Sequence, residues 1–129
     1  MNSKAKGDIA VGRAIQYYSS KNYTVLIPIG DKNSYDLVID TEQGLKKVQC
    51  KYSSRKIVSG AFEIPLRVMG GNQSYHTIKK YKKGDFDILF AITSDGNAFE
   101  IPYDKIEGMS TKTVSDSSEF LVNSITQCL

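Results

Sequence analysis

The sequence predicts an α/β domain, and three observations carry that expectation. Residues 7–21 put Ile9, Ala14, Ile15, Tyr17 and Tyr18 on the apolar side of a helix. Residues 35–52 read as two strands around a polar turn, with apolar and polar positions alternating. Residues 87–93 form an apolar run that Ser94, Asp95, Gly96 and Asn97 turn back into a second run at 98–101. At 129 residues the chain is one domain with enough length for a real core, and no internal repeat or domain boundary interrupts it.

Taken in order, the helix ends in Ser19, Ser20, Lys21 and Asn22. Residues 23–29 are strongly β-forming, with Pro28 limiting that segment as a central strand. Gly30 to Ser34 is a loop, and the hairpin follows. Ser53 and Ser54 open a polar, basic connection to a strand expected at 61–68. Gly70, Gly71, Asn72, Gln73 and Ser74 make a loop, and 75–83 is expected to be a short helix. A helical turn is expected at 103–107 and irregular chain at 110–118. Residues 119–129 read as a terminal helix or a partner-binding segment. Its apolar Phe120, Leu121, Val122 and Ile125 are expected at a subunit interface, with the domain's own core as the alternative.

Composition excludes several classes. No apolar run reaches the eighteen or so residues of a membrane span, and the first six residues lack the apolar core of a signal peptide. Two cysteines, Cys50 and Cys128, make no disulfide framework, which fits a reducing cytoplasm. The net charge of +3 says little, but its distribution says more. Residues 45–83 hold ten basic residues against one acid, Glu63, for a net +9, so the rest of the chain carries −6. A chain polarised in this way is expected to present a basic face, the electrostatic footprint of nucleic-acid binding.

The hairpin carries the chemistry. With Asp40 and Leu45 flanking the turn at 41–44, Asp36 falls opposite Gln49. Opposed residues share a face and side chains alternate along a strand, so Asp36, Gln49 and Lys51 point one way while Val48, Cys50 and Tyr52 point the other. A carboxylate and an amide carbonyl are hard oxygen ligands of the kind Mg²⁺ accepts in sites completed by water and phosphate. A lysine beside them can orient a water or steady charge on a phosphate oxygen. The trio suits metal-assisted phosphodiester hydrolysis. A hairpin with a surface aspartate and a solvated Gln/Lys pair has the same spacing, so the pattern alone does not separate the two.

The order helix, strand, hairpin resembles the PD-(D/E)XK nuclease superfamily, and within it the bacterial homing endonucleases encoded in group I introns. The likeness rests on residues 6–10, 23–31, 35–40 and 48–51, and later on 85–92 and 99–102. It implies a restriction-endonuclease-like core, a mixed central β-sheet flanked by helices. It implies that Asp36 is the metal-binding aspartate, that Gln49 stands at the Asp/Glu position and that Lys51 is the motif lysine. Tyr35 stands where the motif's proline usually lies, and Val11 stands where many members carry a helix glutamate. Asp8, three residues earlier, is the available substitute as a third catalytic and metal-binding group. A first-turn acid favoured by the helix dipole would look the same.

Residues 53–83 then read as the DNA-contacting segment. Arg55, Lys56, Arg67, Asn72, Gln73, Ser74, Tyr75, His76, Lys79 and Lys80 combine phosphate-binding charge with groups able to read base edges. A strand pair with this chemistry beside a nuclease centre would make a recognition arm. A polar surface loop is the plainer account of the same residues. The reading is a Mg²⁺-dependent homing endonuclease acting on double-stranded DNA as a dimer or tetramer. A restriction or junction-resolving nuclease, or a DNA-binding domain of this fold that has lost catalysis, are the alternatives.

Overall fold

The structure, a computed structural model, describes residues 1–68 and 79–122. Asn2 caps the first helix, α1 (Ser3–Ser20), its side chain accepting from the Ala5 amide at 2.8 Å. The helix therefore begins a turn earlier than the apolar pattern predicts. That places Asp8 beyond the first turn, which contains no acid, so the dipole does not account for it. The buried stripe is Ala10, Ala14, Tyr17 and Tyr18, spaced i, i+4, i+7, i+8. Ile9, expected on that stripe, is 38% exposed because it lies on the far side of the helix from Tyr18.

Five strands make the central sheet in the order β1-β2-β3-β7-β8. Edge strand β1 (Thr24–Leu26) is shorter than its β-forming run, and Pro28 falls outside it. Strands β2 (Leu37–Thr41) and β3 (Gly44–Ser53) form the hairpin in the expected register, Asp40 opposite Leu45 and Leu37 opposite Val48. Gly44 takes φ +106°, a conformation that glycine adopts without strain at the end of the two-residue loop.

The segment expected as one strand at 61–68 is two, β4 (Phe62–Pro65) and β5 (Arg67–Val68). Residues expected to close a helix at 75–83 instead include β6 (Lys79–Lys80), antiparallel to β5 with Arg67 opposite Lys80. Strand β7 (Ile88–Thr93) runs parallel to β3 and antiparallel to β8 (Ala98–Pro102), so the sheet is mixed. A 3-10 turn follows at Tyr103–Lys105. The stretch expected to be irregular at 110–118 contains β9 (Thr111–Val114), paired with β4. Its β-branched residues suit a pleated edge, and Val114 is buried.

Alternation along β7 divides the core. Phe90 and Ile92 face α1, where they join Tyr17, Tyr18, Leu37, Ile39, Val48 and Cys50. Leu89 and Ala91 face the other way, against Phe62, Ile64, Leu66, Phe86 and Val114. A parallel β3–β7 pair needs a long return, and Phe62, Ile64, Leu66 and Phe86 of the connection between them pack on the face opposite α1. That second face is covered by β4 and β9 rather than by a helix among the described residues. Phe120 and Leu121 pack on that cluster and Val122 on the α1 side, with Val122 N donating to Ala98 O at 2.8 Å. These three tail residues thus enter the domain's own core, the alternative to an interface; Ile125 lies outside the described residues.

Candidate active site

Strand β2 stops pairing at Leu37, which leaves the next inward-facing amide of β3, that of Cys50, without a ladder partner. Asp36 fills the gap. Its own amide donates to Val48 O at 2.8 Å, continuing the strand by one residue, and its carboxylate accepts from Cys50 N at 2.8 Å. That bond holds the carboxylate over the stretch of β3 whose side chains on this face are Gln49 and Lys51. Val48 and Cys50 are buried against α1 on the opposite face, as the alternation requires. The structure therefore brings Asp36, Gln49 and Lys51 together.

Gln49 is almost fully buried at 9% exposure, with Nε2 donating to Ser34 O at 3.0 Å. The donor end is thus committed to the loop before β2, and the carbonyl end is left as an acceptor. A carboxylate at this position would set oxygen against oxygen at Ser34. The amide matches the backbone around it.

Lys51 is half-buried, and its Nζ donates to Arg67 O at 3.4 Å. The same ammonium lies over the Tyr81 ring, 5.3 Å from its centroid. Burial pushes Lys51 below the ordinary lysine value, and the Asp36 charge partly offsets this. Burial pushes the Asp36 carboxyl up, opposed by the Cys50 amide and by Lys51. The two shifts have opposite signs and one cause, a pair of charges withdrawn from water.

The remaining candidates are spread more widely. Asp8 is exposed on α1, and no described hydrogen bond or ion pair joins it to Asp36 or Gln49. Val11 is partly buried against the helix-side core. Among the described residues no three of the histidine, cysteine, aspartate and glutamate side chains gather as a metal cluster. Arg55 and Lys56 are exposed in the connection after β3, and Arg55 pairs with Glu63 at 3.7 Å. That is the single ion pair among the described residues. Arg67 and Lys80 oppose each other on the β5–β6 ribbon, like charges that stabilise nothing by facing one another. The Lys79 backbone pairs with Val68 on the same ribbon. Asn72, Gln73, Ser74, Tyr75 and His76 lie outside the described residues.

Two partners of the centre carry no signal in the sequence. Ser34 contributes only a backbone carbonyl. Tyr81 sits in a run of lysines thirty positions from Lys51, where it reads as part of a charged surface. No described helix is long and apolar enough to cross a membrane.

The fold agrees with comparison to known proteins. The solved structure of a bacterial homing endonuclease, I-Ssp6803I, has a TM-score of 0.80 to this chain at 31% identity, covering 92% of this chain and 82% of that one. Protein 5.3 of Escherichia phage T7 is 28% identical over 97 residues, 75% of this chain and 77% of that protein. A family model described as PD-(D/E)XK endonuclease matches residues 1–121. That match runs through every strand of the sheet on which Asp36, Gln49 and Lys51 are mounted, and the chain belongs to the PD-(D/E)XK endonuclease family.

Proposed function

We propose that this protein is a Mg²⁺-dependent, site-specific endonuclease of the homing type that hydrolyses phosphodiester bonds of double-stranded DNA. The observation that carries the reading is the convergence of one carboxylate, one outward amide carbonyl and one buried ammonium beside a basic ribbon. The homing assignment draws support from the likeness to a bacterial homing endonuclease.

Nucleases of this family use divalent metal ions. The donor set fits one: Asp36 keeps an oxygen beyond the one bonded to Cys50, and Gln49 turns its carbonyl away from Ser34. Mg²⁺ is commonly held by one or two protein oxygens with water and substrate phosphate completing the shell. When bound, the ion would polarise the phosphate and lower the pKa of a water. Lys51 would orient that water or steady a phosphate oxygen, from a position that the Arg67 carbonyl and the Tyr81 ring hold. Asp8 is the remaining candidate for a further acidic ligand.

A double-strand break requires two centres, and each chain carries one, so a dimer or tetramer on the duplex belongs to the proposal. The single domain, its basic segment at about 53–83 and a cytoplasmic setting with Cys50 as a buried free thiol complete it. One observation favours a second reading, a DNA-binding domain with impaired catalysis: among the described residues no three histidine, cysteine, aspartate or glutamate side chains gather to hold a metal.

Incubation with a randomised duplex library separates these readings. Cleavage at a restricted set of sequences in Mg²⁺, and none in EDTA, is expected. Retention of selected duplexes without cleavage in any divalent ion would establish the impaired domain instead.

Charge removal tests the DNA face. Neutralising Arg55, Lys56 and Arg67 together is expected to weaken duplex binding and flatten its salt dependence, by roughly 0.9 in log–log slope per lost phosphate contact. Arg55 should contribute least, since Glu63 already pairs with it. An unchanged slope would remove these residues from the interface. Lost sequence preference at nearly constant affinity would assign them to base edges.

A further inference from the structure

Among the described residues, Tyr81 is a side chain outside the trio that meets the candidate centre directly, at Lys51. Its ring lies 5.3 Å from the Lys51 ammonium. The charges of Asp36 and Asp85 reach its phenol as well. Burial, with Asp36 and Asp85 adding, pushes its phenol up to about 12, so the hydroxyl stays protonated at working pH.

The ring is itself held in place. Phe86 meets it edge to face at 4.9 Å, Tyr103 meets Phe86 at 5.3 Å, and the Tyr103 hydroxyl donates to Tyr81 O at 3.3 Å. Tyr81 also follows directly on β6, while the carbonyl that receives Lys51 belongs to Arg67 on β5. Lys51 is therefore gripped from both strands of the basic ribbon. A lysine has a long, rotamer-rich side chain, and ordering it costs entropy that two fixed contacts offset.

We propose that Tyr81 is a positioning residue of the active site: its ring fixes the Lys51 ammonium. The proposal rests on the reading that Asp36, Gln49 and Lys51 hydrolyse DNA. It adds that the root of the basic ribbon, and not the hairpin alone, sets their geometry.

Two substitutions in the full chain test it. Tyr81→Phe keeps the ring beneath Lys51 and deletes the hydroxyl; Tyr81→Leu deletes both. Single-turnover cleavage at saturating DNA is expected to fall by about tenfold or more in Tyr81→Leu, in keeping with the cost of small misplacements at reacting groups. Tyr81→Phe keeps the π face and should recover most of that loss. Duplex affinity in Ca²⁺ should be unchanged in both, which a general loss of structure would not allow. Equal rates for the parent and both variants would overturn the proposal. Equal loss in the two variants would overturn the role of the ring. If Tyr81→Leu unfolds, Tyr81→Met, which fills similar space without a π face, decides alone: a parent-like rate refutes the role of the ring. The underlying reading fails separately, if Lys51→Met still cuts.

Discussion

Asp36→Asn is expected to abolish cleavage, by at least about 100-fold, while leaving a fold no less stable than the parent at neutral pH. Asparagine keeps an acceptor for the Cys50 amide and removes the charge. Alanine would be a poorer choice, since it strands a buried donor at a cost of about 1–3 kcal/mol. The stability difference should depend on pH in a defined direction. The folded state raises the Asp36 carboxyl, so it binds that proton more tightly than the unfolded chain does. The parent therefore has its full Asp36 contribution at acid pH and loses it as pH rises from the ordinary aspartate value through the raised one. Asp36→Asn lacks this loss and should gain on the parent in melting temperature between acid and neutral pH. A variant that still cuts, or a melting difference that does not vary with pH, would remove Asp36 from the centre.

Lys51→Met should likewise lose at least about 100-fold in cleavage, because it removes the ammonium beside Asp36 while keeping its unbranched stem. Duplex affinity should change little, since Lys51 is half-buried beneath the ribbon and the exposed cations lie elsewhere. Here the linkage runs in the opposite sense. Burial lowers Lys51, so in the alkaline window below the ordinary lysine value the unfolded chain binds more protons. Parent stability therefore gains from Lys51 as pH rises through that window, and Lys51→Met should lack the gain. Loss of the ammonium also strips Asp36 of its counter-charge and should raise its carboxyl further. Full cleavage in Lys51→Met would end the catalytic assignment, and melting curves that keep the parent's alkaline gain would show that the burial of Lys51 carries no charge penalty.

The hairpin register was legible from residues alone because its determinants are local. A polar turn ending in glycine and a period of two leave one arrangement in which Leu37, Val48 and Cys50 all reach the core, and that arrangement sets Asp36 opposite Gln49. The apolar run at 88–93 was equally plain, since a strand buried on both faces needs no alternation. Segments whose structure depends on distant partners were misread. Thr111–Val114 becomes a strand only because Phe62–Pro65 offers an edge, and Lys79–Lys80 is a strand rather than a helix because it pairs with Arg67–Val68. Ile9 was placed inside because the helix start was read at Gly7 and the stripe through Ala10 was missed.

The same division runs through the active site. Residue types and spacing on one hairpin determined that a carboxylate, an amide and an ammonium share a face, since neighbours on paired strands need no further chain to meet. Only the tertiary structure decided how each is held: the Cys50 amide on Asp36, the Ser34 carbonyl on Gln49, and the Arg67 carbonyl with the Tyr81 ring on Lys51. Three of those partners are backbone groups, which no side chain advertises. The fourth is an aromatic ring brought thirty positions back along the chain by the return that a parallel β3–β7 pair requires.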